Sequence, residues 1–249
     1  MPIPRFLRSA VSHLVYPPRL PTDTEPTEEE MEAWMAVEEL EYFKDLDKSF
    51  VGRALDLGVD SGMVLDLGSR LGLIPLRILW DNENFFGIGL QRWGVVADRA
   101  RETANAWDLG ERMFFQVDDL HRIKFKEQYF DLVVSDSALH RFENPLDILT
   151  EINRVTKPTS GILIRDFLRP NRFGLSRHRA TYGEGYPEPL RDSFEASFRA
   201  GFTERELVGL VAEAGLRGAR VWSDNVHLTI ERPGTSDPGS WVTERENYF

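Results

Sequence analysis

The stretch VLDLGSRLG, Val64 to Gly72, sets a carboxylate, Asp66, ahead of two glycines, Gly68 and Gly72. A buried strand that breaks into such a turn lets a backbone close on a nucleotide. Glycine reaches conformations that other residues avoid and leaves empty the space a side chain would fill. Ser69 keeps the loop small, but Arg70 stands at the middle position, where a second glycine is usual. Its side chain could block the cleft, point outward and leave the backbone path intact, or bind an extra anionic group on the ligand. About 20 residues beyond such a loop, nucleotide-binding sheets place an acid that accepts hydrogen bonds from both ribose hydroxyls. This chain has Gly89 there, followed by Leu90 and by Gln91, whose amide offers one neutral acceptor. A neutral bond of that kind is about half as strong as a charge-assisted one. Further along come Asp118, Asp119 and Leu120 in QVDDL, Ser135, Asp136 and His140 in SDSALH, and Asp166 in GILIRDF. Asp136, His140 and Asp166 are candidate proton acceptors. His140 reads equally as a packed or helix-capping group, Asp118 as an acid exposed in a strand-end loop, and Asp119 takes that place if the register slips by one.

The elements that must position these groups follow from periodicity. MVLDLG, FFGIGL, RMFFQVD, FDLVVSD and GILIRDF are strand-like apolar runs, while LIPLRILW, GVVADRARETANAW and a segment opening at Asn144-Pro145 are helical. The proline suits a first helical turn, and Lys157-Pro158 should stop that helix. Strands alternating with helices imply a parallel sheet covered on both faces. TERELVGLVAEAG has capping-box spacing at Thr203 and Glu206 and a glycine stop. ARVWSD and VHLTIER follow with almost nothing between them, so they must pair antiparallel. Upstream, Thr27 and Glu30 also have capping-box spacing, and Met31, Trp34, Met35, Val37, Leu40 and Phe43 recur at helical intervals. One amphipathic helix is expected there, packed on the domain or closing over a ligand.

Taken together these segments resemble the class I S-adenosylmethionine-dependent methyltransferases, of the type 11/25-like kind, over roughly residues 55 to 232. VLDLGSRLG matches the first motif, QVDDLHRIKF the adenine-side loop, the run from Tyr129 to Asp166 the fourth strand through the fifth, and FTERELVGLVAEAGL the late helix. The resemblance implies an α/β, Rossmann-like sheet of seven mostly parallel strands, with helices on both faces and a C-terminal antiparallel hairpin. It implies S-adenosylmethionine as cofactor, with Asp66, Gly68, Ser69, Arg70, Gly72, Gly89, Leu90, Asp118, Asp119, Leu120 and Ser135 around it. Asp118 would read the adenine amino group, and Leu120 would wall the ring. Asp136 and His140 are the catalytic candidates, and no metal is expected.

The domain organisation reads as an N-terminal arm over 1–26, a helix over 27–50 packed on or over the core, the methyltransferase-like domain over 51–232 and a loose tail over 233–249. Within the domain, residues 167–201 form an insert that concentrates Arg169, Arg172, Arg177, His178, Arg179, Tyr182 and Tyr186, placed to act as an acceptor lid. Salt bridges from it to the acidic helix upstream would explain the same residues.

Composition removes other classes. The 249 residues carry a formal charge of -11, which repels phosphate backbones and anionic membrane surfaces, so neither nucleic acid nor membrane is expected as partner. With no cysteine there is no thiolate nucleophile, disulfide or zinc-cysteine cluster. No apolar run approaches the roughly 20 residues of a membrane helix, and a cytoplasmic location is expected. Three functions compete: a methyltransferase acting on a small molecule; a methyltransferase-like protein without catalysis that serves as a binding or assembly subunit; and a dinucleotide oxidoreductase. GSRLGL fails the glycine pattern of the third. Under the second, the N-terminal arm or the 167–201 insert would meet a protein partner.

Overall fold

The computed structural model describes residues 16–21, 24–171, 174–178, 181 and 187–237. Seven strands run in chain order as β1 (Gly62–Leu67), β2 (Phe85–Gln91), β3 (Met113–Val117), β4 (Phe130–Asp136), β5 (Thr156–Phe167), β6 (Arg220–Ser223) and β7 (His227–Arg232). They form one sheet in the order β3-β2-β1-β4-β5-β7-β6, in which β1 to β5 are parallel and β7 runs antiparallel between β5 and β6. Chain order reverses between β1 and β4, so a crevice opens above their carboxyl ends.

Alternation along each strand sends successive residues to opposite faces, and both faces are dry. Leu65 and Leu67 of β1 join Val133 and Ile162 under α5 (Pro145–Val155) and α8 (Glu204–Glu213). Val64, Val134 and Leu163 point the other way, under α2 (Glu41–Leu55), α3 (Leu73–Asp81) and α4 (Gly94–Ala106). Burial on both sides is why the strands read as continuous apolar runs rather than alternating ones.

The upstream helix differs from expectation. The capping box at Thr27 and Glu30 forms and opens α1 (Glu28–Glu38), which buries Met31, Ala33, Trp34 and Val37. The helix then breaks, and Leu40, with extended backbone at φ -74° and ψ 132°, caps α2 instead of continuing the apolar stripe. Leu40 and Met35 are both exposed. β5 also starts earlier than expected and passes through Lys157-Pro158. The ladder tolerates the proline because its register shifts between Phe130 and Leu132, so the missing N–H falls at an irregularity.

The first residues after β7 are tied back to the domain by backbone hydrogen bonds. Gly234 N donates to Leu57 O and Thr235 N to Thr159 O at 3.0 Å, so the tail begins docked. Residues 238–249 lie outside the described residues, as do 1–15 of the arm and Arg172, Arg179, Tyr182 and Tyr186 of the insert. The described insert holds the short α6 (Leu175–His178) and α7 (Glu188–Ala200), whose Leu190 packs against Met31 and Trp34 of α1. Arg169 is a staple rather than a ligand group, donating to Gly201 O at 2.8 Å and Glu206 Oε1 at 2.5 Å. Among the described residues no helix is long and apolar enough to cross a membrane.

Candidate active site

The glycine loop folds as its sequence requires. Gly68 and Gly72 both have φ of +73°. A Cβ on Gly68 would stand 2.9 Å from the Ala138 Cβ, and one on Gly72 would stand 2.8 Å from the Phe115 ring carbon Cε1. Neither position has room for a side chain in a conformation that already excludes most.

Arg70 turns up, across the mouth of the crevice. Its guanidinium carbon lies 5.7 Å from the ring centre of Trp34, and that of Arg141 lies 5.7 Å from the same ring. Two cations on one indole make a clamp, each contact being worth about 0.5–2 kcal/mol according to how dry it is. Trp34 is 4% exposed, so α1 is seated over the crevice by its largest side chain. What remains beneath is a cavity of about 30 Å³ between Gly68, Gln91, Trp93 and Leu120, and another of about 20 Å³ beside His140, Phe167 and Ser193. Arg70, Trp34 and Arg141 line both. Spaces of that size hold one or two waters, whereas ligand pockets run to hundreds of cubic ångströms.

Under the clamp sit two carboxyls of opposite character. Asp66, fully buried at the end of β1, accepts from Ser69 Oγ through Oδ1, and its Oδ2 has no partner. Burial pushes its pKa up to about 7 against the opposing pull of the Ser69 hydroxyl. Asp136, at the end of β4, is also desolvated, but Arg165 grips both its oxygens at 2.8 Å and holds it below the usual carboxylate range. Such a carboxylate is a poor proton acceptor.

His140 has a different partner. The 3₁₀ turn Leu139–Arg141 holds it, 1% exposed, with Nδ1 at 2.8 Å from Asp166 Oδ1. Asp166 is fixed in turn by the backbone N–H of His140 at 2.9 Å and of Phe167 at 2.6 Å. A buried carboxylate on Nδ1 sets the tautomer and leaves Nε2 as acceptor. His140 borders the smaller cavity. Sequence reasoning missed Arg19, which donates to the carbonyls of His140 at 2.8 Å, Ala200 at 3.2 Å and Glu143 at 3.1 Å, and to that of Phe142. It ties the histidine's turn to the end of α7. Nothing in the composition of the arm marks it, because its partners are backbone carbonyls.

The remaining expected residues divide. Leu120 walls the larger cavity beside Trp93, and Ser135 braces the site from below by donating to Leu67 O at 2.8 Å. Asp118 is turned to its own loop, paired with Lys124 Nζ at 2.8 Å and accepting from Asp119 N at 2.9 Å, and Asp119 holds the backbone of half-buried His121. Leu90 packs with Leu65 and Leu67 in the core. Gly89 also faces inward, toward Phe115 on the side of α3 and α4. Gln91 spends its amide donor on Ser69 O at 2.7 Å, bracing the glycine loop.

Comparison with known proteins adds what geometry alone does not. Residues 65–164 match the family model described as a methyltransferase domain. No curated protein sequence matches the chain. Among solved structures it is similar to an S-adenosylmethionine-dependent methyltransferase from Aquifex aeolicus, at 17% identity and a TM-score of 0.57 over 83% of this chain and 98% of that one. An inferred methyltransferase of the same cofactor class from Methanococcus maripaludis gives 16% identity and a TM-score of 0.64 over 86% and 98%. Geranyl diphosphate methyltransferase in complex with its cofactor gives 11% and 0.56 over 78% and 87%. At these identities the structures establish the shared fold.

Proposed function

We propose that the protein is an S-adenosylmethionine-dependent methyltransferase, built on the methyltransferase domain matched over residues 65–164, and that it methylates a small molecule through an ionisable X–H group. The observation that carries this reading is the His140–Asp166 pair, dry and oriented, on the wall of the cavity that adjoins the glycine loop.

The residues of the crevice fit the amino-acid end of the cofactor. A buried carboxyl with an unpartnered oxygen, Asp66, is a costly feature that an ammonium group would satisfy. When bound, the cofactor supplies a methyl group on a sulfonium, open to in-line attack. The chain's own work is to hold the acceptor, exclude water and take one proton. His140 Nε2 would accept the proton that the acceptor's X–H group gives up on methylation, and Asp166 would stabilise the imidazolium that results. α1 has to withdraw Trp34 for either ligand to enter, since the closed crevice has room for neither.

A second reading has its own support. The clamp of Arg70 and Arg141 on Trp34 is what a crevice retired from ligand binding would also show, and the protein would then serve as a binding or assembly subunit. Calorimetric titration with S-adenosylmethionine and S-adenosylhomocysteine separates the two. The methyltransferase reading expects a 1:1 complex at micromolar to sub-millimolar concentrations; no heat with either ligand, in wild type and in Trp34→Ala alike, would sink it.

A further inference from the structure

The missing ribose acid has a structural counterpart one strand away. Asp66, Gly89 and Phe115 lie side by side across β1, β2 and β3, since Asp66 pairs with Gly89 and Gly89 with Phe115. A Cβ on Gly89 would fall inside the van der Waals envelope of the Phe115 ring, at both Cδ1 and Cε1, and 3.2 Å from the Met113 Cε. The same ring closes against Gly72, where a Cβ would also overlap it and would stand 3.2 Å from the Ala100 Cβ. Phe115 is 3% exposed and packed among Ile74, Ala100 and Met113, so the ring has nowhere to swing. The phenyl ring therefore occupies the corner between the glycine loop and the end of β2 where a ribose carboxylate would have to start.

We propose that Phe115 and Gly89 are a reciprocal pair: the ring of Phe115 takes the volume of the absent acid, so the ribose side of the cleft holds its ligand without a carboxylate. The proposal rests on the methyltransferase reading. It makes Phe115 a specificity-determining residue of the cofactor site, and it explains why position 89 carries no side chain at all instead of a neutral polar one. Asn or Ser would overlap the ring as Asp would, because the obstruction begins at Cβ. It also predicts that adding the acid alone does not restore ribose recognition.

The test crosses two positions. Gly89→Ala and Gly89→Asp are each made in the wild-type and the Phe115→Val background, and thermal midpoints are measured beside calorimetric affinity for S-adenosylhomocysteine. Alanine adds only the Cβ, so it reads the overlap without burying a charge. The expected result is that Gly89→Ala lowers the midpoint by several degrees in the wild-type background and by much less beside Phe115→Val. The Gly89→Asp/Phe115→Val double variant should bind S-adenosylhomocysteine at least tenfold more tightly than Phe115→Val alone. Equal midpoint losses in the two backgrounds would overturn the pair. So would a double variant that binds no better than Phe115→Val while the ligand still binds wild type, because the corner would then not be the ribose seat. If S-adenosylhomocysteine binds none of the proteins, the methyltransferase reading itself has failed and the inference falls with it.

Discussion

Two acids and a histidine at the carboxyl ends of β4 and β5 show how partners, not residue types, assign roles. Asp136 and Asp166 look alike in sequence, each ending an apolar run. Asp136 is locked by the fork of Arg165, whereas Asp166 holds one imidazole nitrogen and two backbone N–H groups. An arginine-bound carboxylate has no affinity to spare for a proton; an imidazole whose Nδ1 faces a carboxylate is fixed in orientation with Nε2 as its acceptor. His140→Asn should therefore lower kcat by about 10²- to 10⁴-fold, the range of general-base catalysis, and leave S-adenosylhomocysteine affinity within a factor of two or three. Asp166→Asn should do nearly as much by freeing the ring to adopt the wrong tautomer. Comparable losses of cofactor affinity in both variants would instead mark the pair as structural. Sequence alone could nominate His140 and Asp136 because both sit where open sheets gather ligands. It could not rank them, since Arg165 is 29 positions from Asp136 and reads as part of a strand. Gly89 was legible as a departure for the same positional reason. Phe115 was not, because its meaning lies in a contact across the ladder.

α1 is the element whose position decides whether the crevice exists. It rests on a satellite cluster of Met31, Trp34, Val37, Phe43, Leu71, Val96 and Leu190, apart from the two main cores. Small peripheral clusters open at lower cost than the core they flank. If the closed form competes with ligand, apparent affinity is reduced by the fraction of molecules that are open. Trp34→Ala removes both the plug and the clamp, and should tighten S-adenosylhomocysteine binding by tenfold or more. Arg141→Gln, which removes one side of the clamp, should give a smaller gain in the same direction. Unchanged or weaker binding in both would show that the helix does not compete with the ligand. The capping box and helical period made this helix readable, but its end was not. No glycine or proline stands between Glu28 and Val51, and the break at Leu40 comes from docking two segments on different surfaces.

At the scale of the whole molecule, the charges buried beneath α1 tie stability to pH. Glu38 of α1 is raised to about 7, first by burial and then by Asp47 of α2, against the weaker pull of Arg70 and Arg77. Asp66 is raised to about 7 by burial. Both carboxyls therefore keep a proton in the fold at pH values where the unfolded chain has lost it. A group with a raised folded pKa leaves the fold unpenalised below the unfolded value, and its contribution is lost as pH rises through the folded value. Stability without ligand should consequently fall between about pH 4.5 and pH 8, with Asp66 accounting for roughly 3 kcal/mol of the drop. Asp224, held down to about 2 by hydrogen bonds from His227 and Val226 despite its burial, loses its contribution only in stronger acid, outside that window. Urea unfolding from pH 5 to pH 8 should show the decline, and Asp66→Asn and Glu38→Gln should each flatten part of it. An ammonium-bearing ligand adds a further sign: it favours ionised Asp66, so the rise in thermal midpoint caused by S-adenosylhomocysteine should be larger at pH 8 than at pH 5.5. A rise that is equal at both values, with the Asp66→Asn protein behaving as wild type, would place the ligand's ammonium elsewhere and leave the unpartnered oxygen a cost that the fold carries alone.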